Sequence, residues 1–185
     1  MTSHSLKQIL GGRNLYLIGM MGSGKTLTGP PLAKKLEYGF VDSDEVIEKV
    51  AKKSIASIFQ EDGEENFREI ETMVLKEIGT RYSLVIATGG GVVTKTENWG
   101  VLHQGVVVWL KPDRECLLSR LRLDTDKRPL IKKGDFEKEF DKLNNERSSL
   151  YKEADLTIEV KNECAKDLAQ IISEKLLTIL SESEI

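Results

Sequence analysis

Short apolar runs alternate along this chain with longer segments whose apolar residues recur at helical spacing. Runs of four or five apolar residues that end in glycine or polar residues are typical of buried strands. Longer segments with apolar residues three and four positions apart are typical of amphipathic helices. The pattern predicts five strands at 15–18, 40–44, 84–87, 106–110 and 156–160, with helices between them, a helix at 136–151 and a closing helix at 165–180.

Strands that alternate with helices predict an α/β fold in which helices cover both faces of a parallel sheet. The first twelve residues are predicted to be a short polar leader. Pro30 and Pro31 lie past the first turn of the first predicted helix, where each proline removes a backbone hydrogen bond. We therefore expect a kink near Gly29, or a helix that restarts there.

The composition predicts one domain, because 185 residues suffice for a single complete core. A net charge of −3 gives no basic excess, so a nucleic-acid partner is not expected. Cys116 and Cys164 have no CxxC spacing, and two histidines are too few for a metal site. The chain has no apolar run near the ~18 residues of a membrane span and no secretory signal pattern. These features predict a soluble cytoplasmic protein.

The residues from Gly19 to Thr26 read Gly-Met-Met-Gly-Ser-Gly-Lys-Thr, which is the pattern of a phosphate-binding loop after a strand. Glycines let consecutive backbone N–H groups point at phosphate oxygens, and a helix that begins near Gly24 directs its positive end at the same anion. Lys25 is expected to reach the β- and γ-phosphates, and the Thr26 hydroxyl to bind Mg²⁺. The loop predicts binding of a nucleoside triphosphate. In such a protein the charged, aperiodic segment at about 123–136 is a candidate mobile lid.

Two carboxylates follow the second predicted strand, and in an extended segment Asp42 and Asp44 share a face. They are expected at the carboxyl edge of the sheet beside the phosphate loop, where open α/β sheets bind ligands. The alternative is that Asp44 only caps the next helix. Glu64, Arg68 and Glu71 have the spacing of a solvated ion-pair ladder. Three glycines after the third strand indicate a backbone that another group approaches closely.

Six motifs in this order resemble the shikimate kinase family from about residue 13 to residue 160. Besides the phosphate loop at 19–26, they are Asp-Ser-Asp at 42–44, Phe-Arg-Glu-Ile-Glu at 67–71, Thr-Gly-Gly-Gly-Val at 88–92, Arg-Pro-Leu at 128–130, and Glu-Arg with a following Leu-Tyr at 146–151. The resemblance implies a three-layer α/β/α P-loop kinase fold with a five-stranded parallel sheet and a crevice between strands one and two. It also implies a substrate-binding helical segment at about 42–78 and a lid.

The resemblance assigns roles to individual residues. It implies that Arg68 and Arg147 hold the shikimate carboxylate through paired, charge-assisted hydrogen bonds, while Asp44 and the triple glycine bind ring hydroxyls. Asp42 would support Mg²⁺ with Thr26, and Arg128 would reach the transferring phosphate from the lid. For the nucleotide, the implied residues are Gly22, Ser23, Gly24, Lys25, Thr26, Leu27, Arg120, Arg122 and Arg128. Either Arg120 or Arg122 would contact adenine. For shikimate, the implied residues are Asp44, Arg68, Gly89, Gly90, Gly91 and Arg147.

The function implied is phosphorylation of the shikimate 3-hydroxyl by ATP with Mg²⁺, within the pathway to chorismate and the aromatic amino acids. Lys25, Asp44 and Arg128 are the expected catalytic residues of a monomer. One alternative is a related small-molecule kinase that acts on gluconate or on a nucleoside monophosphate. Another is a kinase-like protein that binds nucleotide without catalysis.

Overall fold

The computed structural model describes residues 5–122, 136–161 and 163–182, with only the backbone described for Arg122, Phe136 and Glu182. In this part of the chain a five-stranded, wholly parallel sheet has the order β2-β3-β1-β4-β5. The strands are β1 Leu15–Ile18, β2 Gly39–Asp42, β3 Leu84–Ala87, β4 Val106–Pro112 and β5 Leu156–Val160. The helices are α1 Leu6–Leu10, α2 Lys25–Leu36, α3 Ser43–Ala51, α4 Ile55–Glu61, α5 Gly63–Gly79, α6 Thr96–Leu102, α7 Arg114–Arg122, α8 Phe136–Tyr151 and α9 Ala165–Glu182, with a short 3₁₀ turn at Val92–Thr94.

The sheet separates two apolar clusters, because successive residues of a strand point to opposite faces. On one face Leu15 and Leu17 of β1 belong to a cluster that includes residues of α1, α2 and α9. On the other face Tyr16 and Ile18 belong to a cluster that includes residues of helices α3 to α8. Both sides of β1 are therefore buried, and the predicted three-layer α/β/α fold is confirmed.

The structure adds to what the sequence predicted for the first forty residues. The leader contains the short helix α1, which Ser5 and Gln8 cap reciprocally and which buries Leu10 completely. Helix α2 runs unbroken through Pro30 and Pro31, so of the two expectations for this helix the restart near Gly29 was wrong. A Cβ on Gly29 would lie within 3 Å of three atoms of the Phe40 ring, so the glycine lets α2 pack closely on β2.

The strand order brings three chain segments to one edge of the sheet. It differs from the arrangement that the resemblance implies, in which a crevice lies between strands one and two. Strand β3 lies between β1 and β2, with Ala87 paired to Leu17 on one side and to Asp42 on the other. The carboxyl ends of all three strands are therefore level. The segments that follow them are the phosphate loop, the residues after Asp42, and the triple glycine.

None of the helices in the described ranges has the length and hydropathy that a bilayer span requires.

Candidate active site

The loop after β1 wraps as its sequence predicts. Gly19, Gly22 and Gly24 have φ values of 138°, 79° and 97°, which are strained for residues with a side chain. A Cβ on Gly19 would also lie 2.5 Å from the Leu110 carbonyl oxygen of β4. Lys25 begins α2, and its buried Nζ donates to the carbonyl oxygens of Gly19 at 2.8 Å and Met20 at 3.0 Å. The ammonium group therefore lies within the loop whose N–H groups are expected to hold phosphate.

A hydroxyl and a carboxylate meet beside this loop. The Thr26 Oγ1 donates to Asp42 Oδ2 at 2.6 Å. The other carboxylate oxygen, Asp42 Oδ1, accepts from the Asp44 backbone N–H at 3.0 Å and so caps α3. Such hard oxygen ligands, together with substrate phosphates, are what Mg²⁺ prefers in kinase sites. The residues present therefore fit this ion.

Asp44 does not cap the helix, contrary to the alternative considered from the sequence. Strand β2 ends at Asp42, so Asp44 lies in the first turn of α3 rather than in an extended segment. Its Oδ1 is buried and has no hydrogen-bond partner among the described residues. Burial, followed by the charge of Asp42, raises the pKa of Asp44 to about 6, and Lys25 opposes this shift. An ionised Asp44 is thus a strong, unused hydrogen-bond acceptor.

The prediction of a solvated ladder at Glu64, Arg68 and Glu71 was wrong. Arg68 is only 7% exposed and Glu71 only 2% exposed. Arg68 Nη1 donates to Glu71 Oε2 at 2.7 Å, and its Nη2 donates to the more exposed Glu64 at 3.1 Å. The second oxygen, Glu71 Oε1, is buried and has no hydrogen-bond partner among the described residues, and burial raises the pKa of Glu71 while Arg68 lowers it. The hydrogen bonds to Glu71 and Glu64 fix the position of the Arg68 guanidinium.

The triple glycine passes directly over these side chains. A Cβ on Gly89 would lie 2.6 Å from Glu71 Oε1 and 2.9 Å from Asp44 Oδ1. A Cβ on Gly91 would lie within about 2.5 Å of the Arg68 guanidinium. The glycines therefore let Asp44, Glu71 and Arg68 converge at one site, which the sequence could not show for Glu71.

Arg147 reaches the same site from α8. It is 4% exposed, and its Nη1 has no hydrogen-bond partner in the described part of the chain. Its charge lowers the pKa of Glu71. Tyr151, one turn later on α8, donates to the Gly90 carbonyl oxygen, so this part of α8 packs on the triple glycine. The unpaired Asp44 Oδ1 and Glu71 Oε1 are acceptors, whereas the unpaired Arg147 Nη1 is a donor. A small molecule with hydroxyls and one carboxylate would satisfy all three atoms.

The structure describes only some of the other residues that are predicted to bind the nucleotide. Arg120 Nη1 donates to the Gly22 carbonyl oxygen at 3.1 Å, which places this arginine on the phosphate loop. The side chain of Leu27 is 72% exposed, so only its backbone is suited to phosphate. The side chain of Arg122, the whole of Arg128 and nearly all of the predicted lid lie outside the described residues.

Two site residues were missed by sequence reasoning. Glu71 lies three residues after Arg68, so helical spacing places it on the same face, but spacing gives no burial. Tyr151 lies four residues after Arg147, and its hydroxyl donates to the Gly90 carbonyl oxygen. Both residues belong to the motifs at 67–71 and 146–151, but their place in the site follows only from the packing of α5 and α8 on the triple glycine.

Comparison with known proteins identifies the family to which this chain is similar. A family model described as shikimate kinase matches residues 21–178. The chain is 58% identical over 175 residues to a shikimate kinase of Prochlorococcus marinus strain MIT 9211, covering 95% of this chain and 88% of that protein. A second relative, from strain MIT 9313 of the same species, is 58% identical over 178 residues, covering 96% of this chain and 93% of its own length. The structure of a shikimate kinase from Acinetobacter baumannii in complex with shikimate superposes with a TM-score of 0.89 and 40% identity, covering 94% of this chain and 97% of that one.

Proposed function

The chain belongs to the shikimate kinase family, and from that premise we propose how its residues bind and phosphorylate shikimate. The activity is transfer of a phosphoryl group from ATP to shikimate. The observation that carries the proposal is the convergence of Asp44 Oδ1, Glu71 Oε1 and Arg147 Nη1 beside the phosphate loop, all buried and without a partner among the described residues. Shikimate offers one carboxylate and three hydroxyls to these groups. We assign the 3-hydroxyl as the acceptor.

Arg147 and Arg68 are assigned to the carboxylate. Both guanidiniums are buried, and Arg68 is held by Glu71 and Glu64 so that its position is set before substrate arrives. Charge-assisted hydrogen bonds to a carboxylate are roughly twice as strong as neutral ones. The carboxylate of shikimate would add one anion beside these two guanidiniums.

Asp44 is assigned to the hydroxyl that is phosphorylated. Its free Oδ1 accepts the hydroxyl proton as a hydrogen bond, which orients the oxygen toward the phosphate loop. The neighbouring triple glycine leaves room for the ring, because any Cβ on Gly89 would occupy the space next to Asp44 and Glu71. We therefore assign Asp44 to orient the attacking hydroxyl, and the same oxygen is placed to take up the hydroxyl proton as a general base.

Lys25, Thr26 and the loop N–H groups are assigned to ATP. Thr26 and Asp42 would hold Mg²⁺, which when bound neutralises charge on the β- and γ-phosphates. Lys25 adds a second positive charge, and phosphoryl transfer depends mainly on such positioning and neutralisation. We assign Arg120 as the arginine near adenine, since it already contacts the loop at Gly22. Arg128 is assigned to the phosphate from the lid, on the resemblance alone.

Removing Arg68 from the site in two independent ways is expected to weaken shikimate binding selectively. Arg68→Ala deletes the guanidinium. Gly91→Ala leaves Arg68 in the chain, but the new methyl group overlaps the guanidinium position and displaces it. Gly91 has a φ of −100°, so alanine itself is not strained there. Each variant is expected to lose about 2–3 kcal/mol of shikimate affinity, as for a charged hydrogen bond, while ATP affinity is kept. Calorimetric titration with each ligand measures both.

Gly100→Ala is the matched control, because a Cβ at Gly100 meets nothing within 4 Å. This variant should bind shikimate as the wild type does. Wild-type shikimate affinity in both Arg68→Ala and Gly91→Ala would show that Arg68 does not contact the substrate, and the assignment of the carboxylate site would be wrong.

Three further assignments complete the proposal. We propose that the enzyme acts in the cytoplasm, functions as a monomer, and has no nucleic-acid or membrane partner. A net charge of −3 supports the absence of a nucleic-acid partner. Sedimentation at enzyme-assay concentrations tests the monomer directly.

A further inference from the structure

The serine between Asp42 and Asp44 is hydrogen-bonded to the triple glycine. Ser43 is the first residue of α3 and is only 3% exposed. Its Oγ accepts a hydrogen bond from the buried Gly89 N–H at 3.2 Å. Asp42 is paired with Ala87, and parallel strands that end level bring the residues after them together. Ser43 therefore joins α3, which carries Asp44, to the first residue of the triple glycine.

The backbone that follows Gly89 is held by side chains of other elements. Three carbonyl oxygens accept hydrogen bonds from α8 and α6, and the pairs are Tyr151 with Gly90, Asn98 with Val92, and Trp99 with Val93. The bonds of Asn98 and Trp99 are buried and measure 2.8 Å and 3.1 Å. None of these three bonds involves Ser43. Loss of the Ser43 hydroxyl should therefore act on Gly89 and leave the rest of this segment in place.

Gly89 lies beside two carboxylate oxygens that are assigned to the substrate. A Cβ on Gly89 would lie 2.6 Å from Glu71 Oε1 and 2.9 Å from Asp44 Oδ1. Both oxygens are buried and have no hydrogen-bond partner among the described residues. The Gly89 N–H donates to Ser43 instead, which leaves both acceptors to a ligand.

Without the Ser43 hydroxyl, the buried Gly89 N–H would lose its acceptor. A buried donor without a partner is costly, so the peptide group would gain by turning toward a neighbouring carboxylate. Such a hydrogen bond would occupy an oxygen that shikimate is proposed to use. It would also move the glycine backbone that borders the ring.

We propose that Ser43 is a positioning residue for shikimate, whose hydroxyl oxygen holds the Gly89 N–H away from the two unpaired carboxylate oxygens. Asp44 and Glu71 then stay free for the hydroxyls of the substrate. The inference rests on the proposed function, in which these carboxylates face shikimate. Ser43 acts through Gly89 and does not itself contact the substrate. The hydrogen bonds that Asp42 accepts do not involve the Ser43 hydroxyl, so ATP binding should not depend on it.

Ser43→Ala tests this role, because it removes the hydroxyl and keeps Cβ. We expect its Kd for shikimate to rise about five- to tenfold, as for loss of one hydrogen bond, and its Kd for ATP to change by less than about twofold. Calorimetric titration with each ligand gives both constants, and thermal melting records any general loss of stability.

Ser173→Ala is the matched control. Ser173 is also buried, and its Oγ donates to the Ala169 carbonyl oxygen within α9, whose apolar residues pack on the other face of the sheet. The variant undergoes the same chemical change and also loses a buried hydrogen bond. It should melt at a lower temperature if that bond is stabilising, but it should match the wild type in both constants.

Ser43→Cys separates the hydrogen bond from the space that the side chain fills. Cysteine fills at least the volume of serine, but its sulfur is only a weak acceptor. Its Kd for shikimate should also rise, by at least about threefold. Wild-type shikimate affinity in Ser43→Cys would show that packing alone matters at this position, and the proposal would be overturned. Wild-type shikimate affinity in Ser43→Ala, or equal losses of shikimate and ATP affinity, would overturn it as well.

The same titrations distinguish this inference from the proposed function. If Arg68→Ala binds shikimate as tightly as the wild type, the assignment of the shikimate site fails. If Arg68→Ala weakens shikimate binding and Ser43→Ala does not, only the positioning role of Ser43 fails.

Discussion

Replacing Lys25 with methionine is expected to lower kcat by about 10²–10³-fold or more. Such a loss is typical when an enzyme loses one preorganised group that stabilises negative charge in the transition state. The Nζ of Lys25 lies among loop carbonyl oxygens and contributes nothing to the two apolar clusters. The melting temperature should therefore change little, although the loop loses the hydrogen bonds that this side chain donates to it. A coupled assay for ADP gives kcat, and circular dichroism follows unfolding.

Lys34→Met is the matched control for this prediction. Lys34 lies on the same helix, is exposed, and undergoes the same chemical change. Its variant should retain wild-type kcat. Near-wild-type turnover in folded Lys25→Met would remove the phosphate loop from the mechanism.

Asp44→Asn is expected to lower kcat by about 10²–10⁴-fold if Asp44 acts as a general base. Asparagine keeps the size of the side chain and removes the negative charge that attracts the hydroxyl proton. Because burial and Asp42 both disfavour the charge of Asp44, stability should be unchanged or slightly higher in the variant. The helix cap is also unaffected, since Asp42 provides it.

The kinetic constants of Asp44→Asn separate two roles. Loss of a general base should lower kcat with little change in KM, whereas loss of substrate orientation alone should raise KM with a smaller decrease in kcat. The second outcome suits a loose transition state, in which the attacking oxygen gains little charge early. Glu45→Gln, an exposed acidic neighbour in the same helical turn, is the control. If kcat and KM are both unchanged in Asp44→Asn, Asp44 has no part in the reaction.

The strands and the phosphate loop could be predicted because local chemistry determines them. Short apolar runs buried on both sides predict β1 and β3, whereas β5 alternates buried and exposed residues, and all three strands have the predicted bounds. The loop glycines adopt φ values that only glycine tolerates easily, so the sequence encodes the conformation directly.

The arrangement of the acidic and basic residues could not be predicted, because it depends on packing between distant segments. Spacing alone cannot distinguish an exposed ladder from the buried Arg68–Glu71 pair, since the cover over that pair comes from Gly91, far along the chain in the loop after β3. Similarly, β2 ends two residues before Asp44 because Asp42 caps α3. The strand order, with β3 between β1 and β2, requires contacts that no local pattern contains.

The central claim is that this site phosphorylates shikimate with ATP, and a substrate panel tests it most directly. ADP release is measured in the coupled assay with shikimate, gluconate and AMP in parallel, each with ATP and Mg²⁺. We predict that ADP forms rapidly with shikimate alone and that mass spectrometry finds one phosphate added to it. Rapid ADP release with gluconate or AMP and none with shikimate would contradict the claim, and no release with any of the three would favour a nucleotide-binding protein without catalysis.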